Sequence, residues 1–190
     1  MNTTPPQTDP ELHTLRLCLR VLRVDEAHLL RDYVLRNREH LDRWEGLRSD
    51  SYYTLEDCRS RIAQQRATLE QGSGYALALL TPAQDCMLGT VGLSNIVRGL
   101  FQACHLGYAL DHAAQGQGLM HEALTRVIAF AFEELCLHRL MANYMPHNQR
   151  SEKVLQRLGF EREGYARDYL KIGGRWQDHV LTALINPAPM

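Results

Sequence analysis

One apolar stripe restricts the fold of this chain more than any other feature. Leu119, Ala123, Leu124, Val127, Ile128, Ala131, Phe132 and Leu135 recur at three-and-four spacing. That pattern predicts a helix over 118–135 with one face in a core. Segments of strand character flank it, at about 102–110 and 139–145. A helix between two strands returns the chain in the same direction, so these two are expected to run parallel in one sheet.

The other segments suggest shorter connections. Residues 15–21 alternate polar and apolar with period two, as a half-buried strand does. Helical spacing runs over 25–37, and Thr54 with Asp57 reads as a capping box opening a polar helix to about 71. Residues 75–80 and 87–95 read as a hairpin. A short helix over 148–158 is expected to stop at Gly159, and two last strands, 160–172 and 176–184, flank Gly173-Gly174. The order implies a mixed α/β domain over 13–187 preceded by a disordered arm over 1–12.

Composition narrows the function. Lys plus Arg number 21 against 22 Asp plus Glu, a balance that argues against a protein built to grip nucleic acid through its phosphates. Five cysteines with no C-x-x-C pair suggest neither a disulfide framework nor a metal site, which fits a reducing cytoplasm. Residues 1–10 lack the apolar core of a signal peptide, and no apolar run reaches membrane-spanning length.

The chemistry concentrates at Gln115-Gly116-Gln117-Gly118-Leu119-Met120, where a strand hands over to the long helix. Amides at a helix start lack intrahelical partners and carry the positive end of the dipole. Two glycines allow a turn that wraps a pyrophosphate. A plain loop cap would use the same residues. A dinucleotide fingerprint would need a third glycine where His121 stands, and the lysine of a P-loop is absent.

This segment resembles the Q/R-x-x-G-x-G/A signature of the GNAT acetyltransferases, departing at Met120, where the signature has a small residue. Further stretches are similar to the RimJ/RimL group of that superfamily: Asn95 to Gly99, Leu106-Gly107-Tyr108, Arg139 to Asn148 and Leu158 to Tyr165. The resemblance implies a central, mostly antiparallel twisted sheet flanked by helices, with a splayed parallel strand pair. It also implies an acetyl-CoA-dependent N-acetyltransferase acting on the N-terminal amine of a protein, specifically the N-terminal alanine of a small-subunit ribosomal protein. Transfer to a small-molecule amine, or CoA binding without catalysis in ribosome assembly, are the alternatives.

By the same resemblance, backbone groups of Tyr108, Ala109 and Leu110 would meet the pantetheine arm. Amides of Gln115, Gly116, Gln117, Gly118, Leu119 and Met120 would hold the pyrophosphate. Asn148 and Ser151 match an N-x-x-S segment whose serine stabilises the departing thiolate; Asn148 also fits a plain N-cap. The segment 37–45 resembles the acceptor side, with Trp44 and Glu45 as peptide contacts. A free α-amine, with a reference pKa of ~7.7–8.0, is partly neutral near pH 7, so it needs only a modest base. His105, where many relatives place a glutamate, and Asp168 are the two candidates. No metal, membrane or nucleic-acid partner is implied.

Overall fold

The computed structural model describes residues 9–188. Eight strands form a single sheet in the order β1-β2-β3-β4-β5-β6-β8-β7. They are β1 (Glu11–His13), β2 (Cys18–Arg20), β3 (Tyr75–Leu80), β4 (Met87–Val97), β5 (Ala103–Leu110), β6 (Arg139–Tyr144), β7 (Glu161–Ile172) and β8 (Arg175–Ile185). The helices are α1 (Ala27–Arg36), α2 (Arg38–Leu41), α3 (Leu55–Glu70), α4 (Leu119–Ala129) and α5 (Gln149–Arg157). Every strand pair is antiparallel except β5–β6. The stripe on α4 therefore produces the crossover that its position between two strands demands.

Two buried clusters lie on opposite faces of this sheet. On one, α4 and α5 cover Val91 and Leu93 of β4, Cys104 and Leu106 of β5 and Leu140 of β6. On the other, α1 and α3 pack Leu30, Tyr33, Val34, Cys58 and Ile62 against Ala78 and Leu80 of β3. Successive strand residues point to opposite faces, so Cys104, Leu106 and Tyr108 look toward α4 while His105 and Ala109 look toward α1.

The first strand is shorter than its alternation suggests. Thr14 donates its amide to the Leu17 carbonyl at 2.9 Å, and its hydroxyl accepts from the Leu17 amide at 3.0 Å, closing a tight turn inside the expected strand. Arg16 leaves that turn toward α4, and Leu15 is 91% exposed. Of the arm expected over 1–12, residues 1–8 lie outside the described residues, and Glu11 and Leu12 belong to β1, paired with Arg20 and Leu19. Thr54 caps α3 by accepting from the Asp57 amide at 3.2 Å, while the Asp57 carboxylate turns to Arg61.

The long helix stops earlier than its stripe. After Ala129 the coil widens over Phe130–Glu134, where the Leu135 amide reaches back five residues to the Phe130 carbonyl at 3.0 Å. Widening changes the phase of the helix, and Phe130, Ala131, Leu135 and Leu137 are all buried as a result. Phe130 meets Tyr75 of β3 edge-on at 5.3 Å between ring centroids. Phe130→Ala removes a fully buried ring at the junction of helix and sheet, and about 3–5 kcal/mol of stability is expected to go with it. A lower urea midpoint with an unchanged slope is the expected signature; an unchanged midpoint would contradict the packing.

Candidate functional site

The site begins where β5 and β6 stop pairing. Their register holds for three rungs, Ala103↔Arg139, Cys104↔Leu140 and His105↔Met141. From Leu106 onward β5 keeps β4 as a partner, ending at Gly89↔Leu110, while β6 keeps β8 as far as Tyr144↔Val180. The two strands thus diverge into an open V with backbone groups on its inner edges. A bulge marks the same level on β4. Register shifts between Ser94 and Val97, opposite His105 and Ala103, with Asn95 at a φ of 52°. A bulge adds local twist, which carries β5 away from β6.

Tyr108, Ala109 and Leu110 therefore lie on the unpaired edge of β5, as the sequence resemblance implies. A ligand's amides can satisfy such an edge as a neighbouring strand would. The tip of β5 is pinned by a buried carboxylate. Asp111 accepts from Arg36 at 2.7 Å, from the Asn37 side chain at 3.0 Å and from the Ala113 amide at 2.9 Å. Asn37 returns the tie by accepting from the His112 amide at 2.9 Å. Burial alone would raise the Asp111 pKa, but the Asn37 amide, the Arg36 guanidinium and the Ala113 amide together hold it below the usual carboxylate value.

Residues 115–120 follow as a turn. Gly116 and Gly118 take φ of 77° and 78°, the left-handed region that only glycine enters at low cost. A Cβ on Gly116 would touch nothing within 4 Å, so the turn is shaped by backbone conformation rather than crowding. The first helical bond of α4 joins the Glu122 amide to the Gly118 carbonyl. The Gln115 amide, expected among the donors, is already taken by the His112 carbonyl at 3.4 Å because residues 112–115 close a turn of their own, whereas among the described residues no protein acceptor engages the amides of 116–121. These donors, at the positive end of α4, form an anion cradle. Arg16 braces it by donating to the Gln117 carbonyl at 3.0 Å and pairing with Glu122 at 2.7 Å.

Asn148 caps α5, its side-chain oxygen accepting from the Ser151 amide at 3.1 Å. The cap orients Ser151, whose hydroxyl lies 2.6 Å from the Tyr108 hydroxyl across the V. Burial pushes the Tyr108 phenol up to about 12, so it stays protonated and can donate to Ser151. This tyrosine hydroxyl was not legible as a functional group in the sequence, where Tyr108 stood only for its backbone. Nothing local relates two residues 43 positions apart.

The remaining candidates separate. His105 occupies the last paired rung at the apex of the V, and its Nδ1 is buried without a hydrogen-bond partner among the described residues. Asp168 sits in the irregular stretch of β7 between Ala166 and Leu170, exposed, at a φ of 48°. Its amide is held by Asp178, which also accepts from Tyr165 at 2.6 Å. Trp44 stacks on His147 with ring centroids 5.6 Å apart, and both line a cleft of about 820 Å³ at the open end of the V. Glu45 turns away from that cleft toward Arg48 at 3.3 Å. Arg98 donates to the Leu135 carbonyl at 2.5 Å. Glu11, His13 and Cys18 gather within 4.8 Å at the β1–β2 edge, where Glu11 and His13 already pair at 3.0 Å. Among the described residues no helix is long and apolar enough to cross a membrane.

Residues 16–161 match the acetyltransferase (GNAT) domain family. The chain is 46% identical over 176 residues to the [ribosomal protein uS5]-alanine N-acetyltransferase of Escherichia coli, covering 93% of this chain and 91% of that protein. The crystal structure of a ribosomal-protein-S5-alanine acetyltransferase from Vibrio fischeri superposes with a TM-score of 0.89 at 37% identity, covering 94% of this chain and 98% of that one. Mycobacterium smegmatis RimJ in complex with CoA-disulfide superposes with a TM-score of 0.85 at 26% identity, covering 95% and 88%.

Asp111→Ala leaves Asn37 and Arg36 without their shared acceptor, and a loss of about 2–3 kcal/mol is expected at pH 7. The sign with pH follows from the lowered folded-state pKa. The carboxylate's contribution is complete above its unfolded value of ~3.9 and is lost as pH falls through the lower folded value. Urea melts of the two proteins should therefore converge as pH drops below about 4, and a constant gap would contradict the assignment.

Proposed function

Because the chain belongs to the GNAT acetyltransferase family and is an acetyl-CoA-dependent N-acetyltransferase, we propose that its acceptor is the N-terminal alanine amine of ribosomal protein uS5. The likeness to the Escherichia coli enzyme of that activity, which runs through nearly the whole chain and includes the acceptor-side segment, carries this reading. A ribosomal-protein acceptor places the enzyme in the cytoplasm.

The site residues divide the chemistry between the two faces of the sheet. Amides of 116–121 hold the diphosphate, and the unpaired edge at Tyr108, Ala109 and Leu110 takes the amides of pantetheine. The amine nitrogen bonds to the thioester carbonyl carbon and the carbon–sulfur bond breaks, leaving one proton to be taken from nitrogen and one to be supplied at sulfur. Ser151 stabilises the departing sulfur with its hydroxyl hydrogen when the protonated Tyr108 hydroxyl donates to its oxygen, one of the two directions that the 2.6 Å contact allows. The Asn148 cap holds that serine in place, so capping and function are one arrangement.

His105 is the better base of the two candidates. It points to the face opposite Tyr108 and Ser151, at the rung where the V opens, and its buried Nδ1 has no hydrogen-bond partner among the described residues. Asp168 is exposed on β7, where Asp178 holds its backbone rather than its carboxylate. Trp44 lines the approach of the acceptor; Glu45, paired with Arg48, contributes to the fold of that wall.

The direct test offers acetyl-CoA with a uS5 N-terminal peptide beside free small amines and follows the release of CoA thiol. Preferential acetylation of the peptide is expected; transfer to small amines alone would overturn the acceptor. In the same assay Ser151→Ala should lower kcat by about 10²-fold with little change in KM. His105→Gln is expected to reduce kcat/KM by about 10²-fold near neutral pH with little change in the KM of acetyl-CoA. An unchanged kcat/KM would move the base elsewhere.

A further inference from the structure

The cleft beside the V has a charge that the reaction does not require. One wall is formed by α1, α2 and Trp44, the other by His147 to Arg150 at the start of α5, and the space between is about 820 Å³. Four arginines line it, Arg36, Arg38, Arg43 and Arg150, against one carboxylate, Glu39. Two of these cations are already matched: Arg36 by Asp111 at 2.7 Å and Arg38 by Asp50 at 2.8 Å. The other two are not. Arg150 meets only the neutral side-chain oxygen of Gln115, and Arg43 has no hydrogen-bond or ion-pair partner among the described residues. The whole chain carries a formal net charge of −1, so this concentration is local.

We propose that Arg43 and Arg150 select acceptors with carboxylate side chains in the few residues behind the reacting amine. The inference rests on the peptide acceptor proposed above and names its chemistry. The cleft opens where β5 and β6 diverge, so a chain whose amine enters the V must lay its next residues between these two walls. The stacked rings of Trp44 and His147 give it a flat surface there, and His40 and His112 add polar edges. The anion cradle at 116–121 does not line this cleft, so the diphosphate has its own donors and leaves the two arginines free. A cleft walled on both sides fits an extended peptide better than a nucleic acid, which needs a continuous basic surface. Opposite charges placed this way lower KM and steer association more than they alter the chemical step.

The experiment uses the intact protein at saturating acetyl-CoA and two peptides of equal length that begin with alanine. One carries glutamates in the positions that follow, the other glutamines. The glutamate peptide should show a KM about fivefold lower at similar kcat, with the difference shrinking as salt is raised. In Arg43→Gln combined with Arg150→Gln the ratio should fall to within about twofold, whereas Arg43→Lys with Arg150→Lys should keep most of it. Equal KM values for the two peptides in the unaltered protein would overturn this inference and leave the acceptor class standing. A rise in the KM of acetyl-CoA without loss of the peptide preference in the glutamine variant would assign the arginines to CoA and overturn it too. Loss of the preference on adding a short RNA would assign the cleft to nucleic acid and likewise overturn the carboxylate selection. Transfer to free amines but to neither peptide would overturn this inference and the acceptor together.

Discussion

Everything the site does depends on β5 and β6 pairing for only three rungs. A fully zipped parallel pair would consume the backbone groups that a ligand needs, and a pair that never met would leave α4 and α5 without a common base. The three rungs at Ala103, Cys104 and His105 fix the strands beside the buried cluster under α4, to which Cys104 and Leu140 belong. The bulge in β4 at the same level then turns β5 outward. An opened strand edge is costly in water-free surroundings unless something replaces the missing neighbour. A molecule with amides along its length is a natural replacement, as the pantetheine arm of CoA is.

An open V would be of little use if its tip could wander. The Asp111 cluster prevents this by tying the end of β5 to the junction of α1 and α2. The same tie places the wall that carries Trp44 and the glycine turn on one support, because Asp111 starts the turn that leads to Gln115. Gln115 adds a second link, its side chain lying between His40 of α2 and Arg150 of α5. Stability and ligand geometry thus share residues, and a substitution at Asp111 affects both.

The long helix, the hairpin, the parallel crossover and the glycine turn were all legible because each rests on local spacing or on backbone conformations that few residues adopt. The first strand misled for a physical reason. Period-two alternation over 15–21 continues through a turn in which Thr14 binds Leu17, and alternation alone does not distinguish a strand from the hairpin loop that precedes one. The widened coil after Ala129 was hidden as well, since the apolar spacing to Leu135 fits a regular helix. In the site, the Asn148 cap was readable from chain position. The Tyr108–Ser151 contact and the Asp111–Asn37–Arg36 cluster were not, because they join residues 43, 74 and 75 positions apart through the tertiary fold alone.

The arrangement also bears on the route of transfer. Cys104 lies on β5 within the paired rungs and would be the natural thiol for a covalent intermediate. It is fully buried on the α4 face, and burial pushes its pKa to about 12, so the thiolate that such a route needs does not form near neutral pH. Ser151, by contrast, is held at the V by its cap and its tyrosine partner, where the proposed reading needs a donor for the departing sulfur. His105 faces the other way. With the buried thiol excluded, the proposed base and the proposed partner of the thiolate lie on opposite faces of one opened strand pair, an arrangement compatible with direct addition of the amine to the thioester carbonyl.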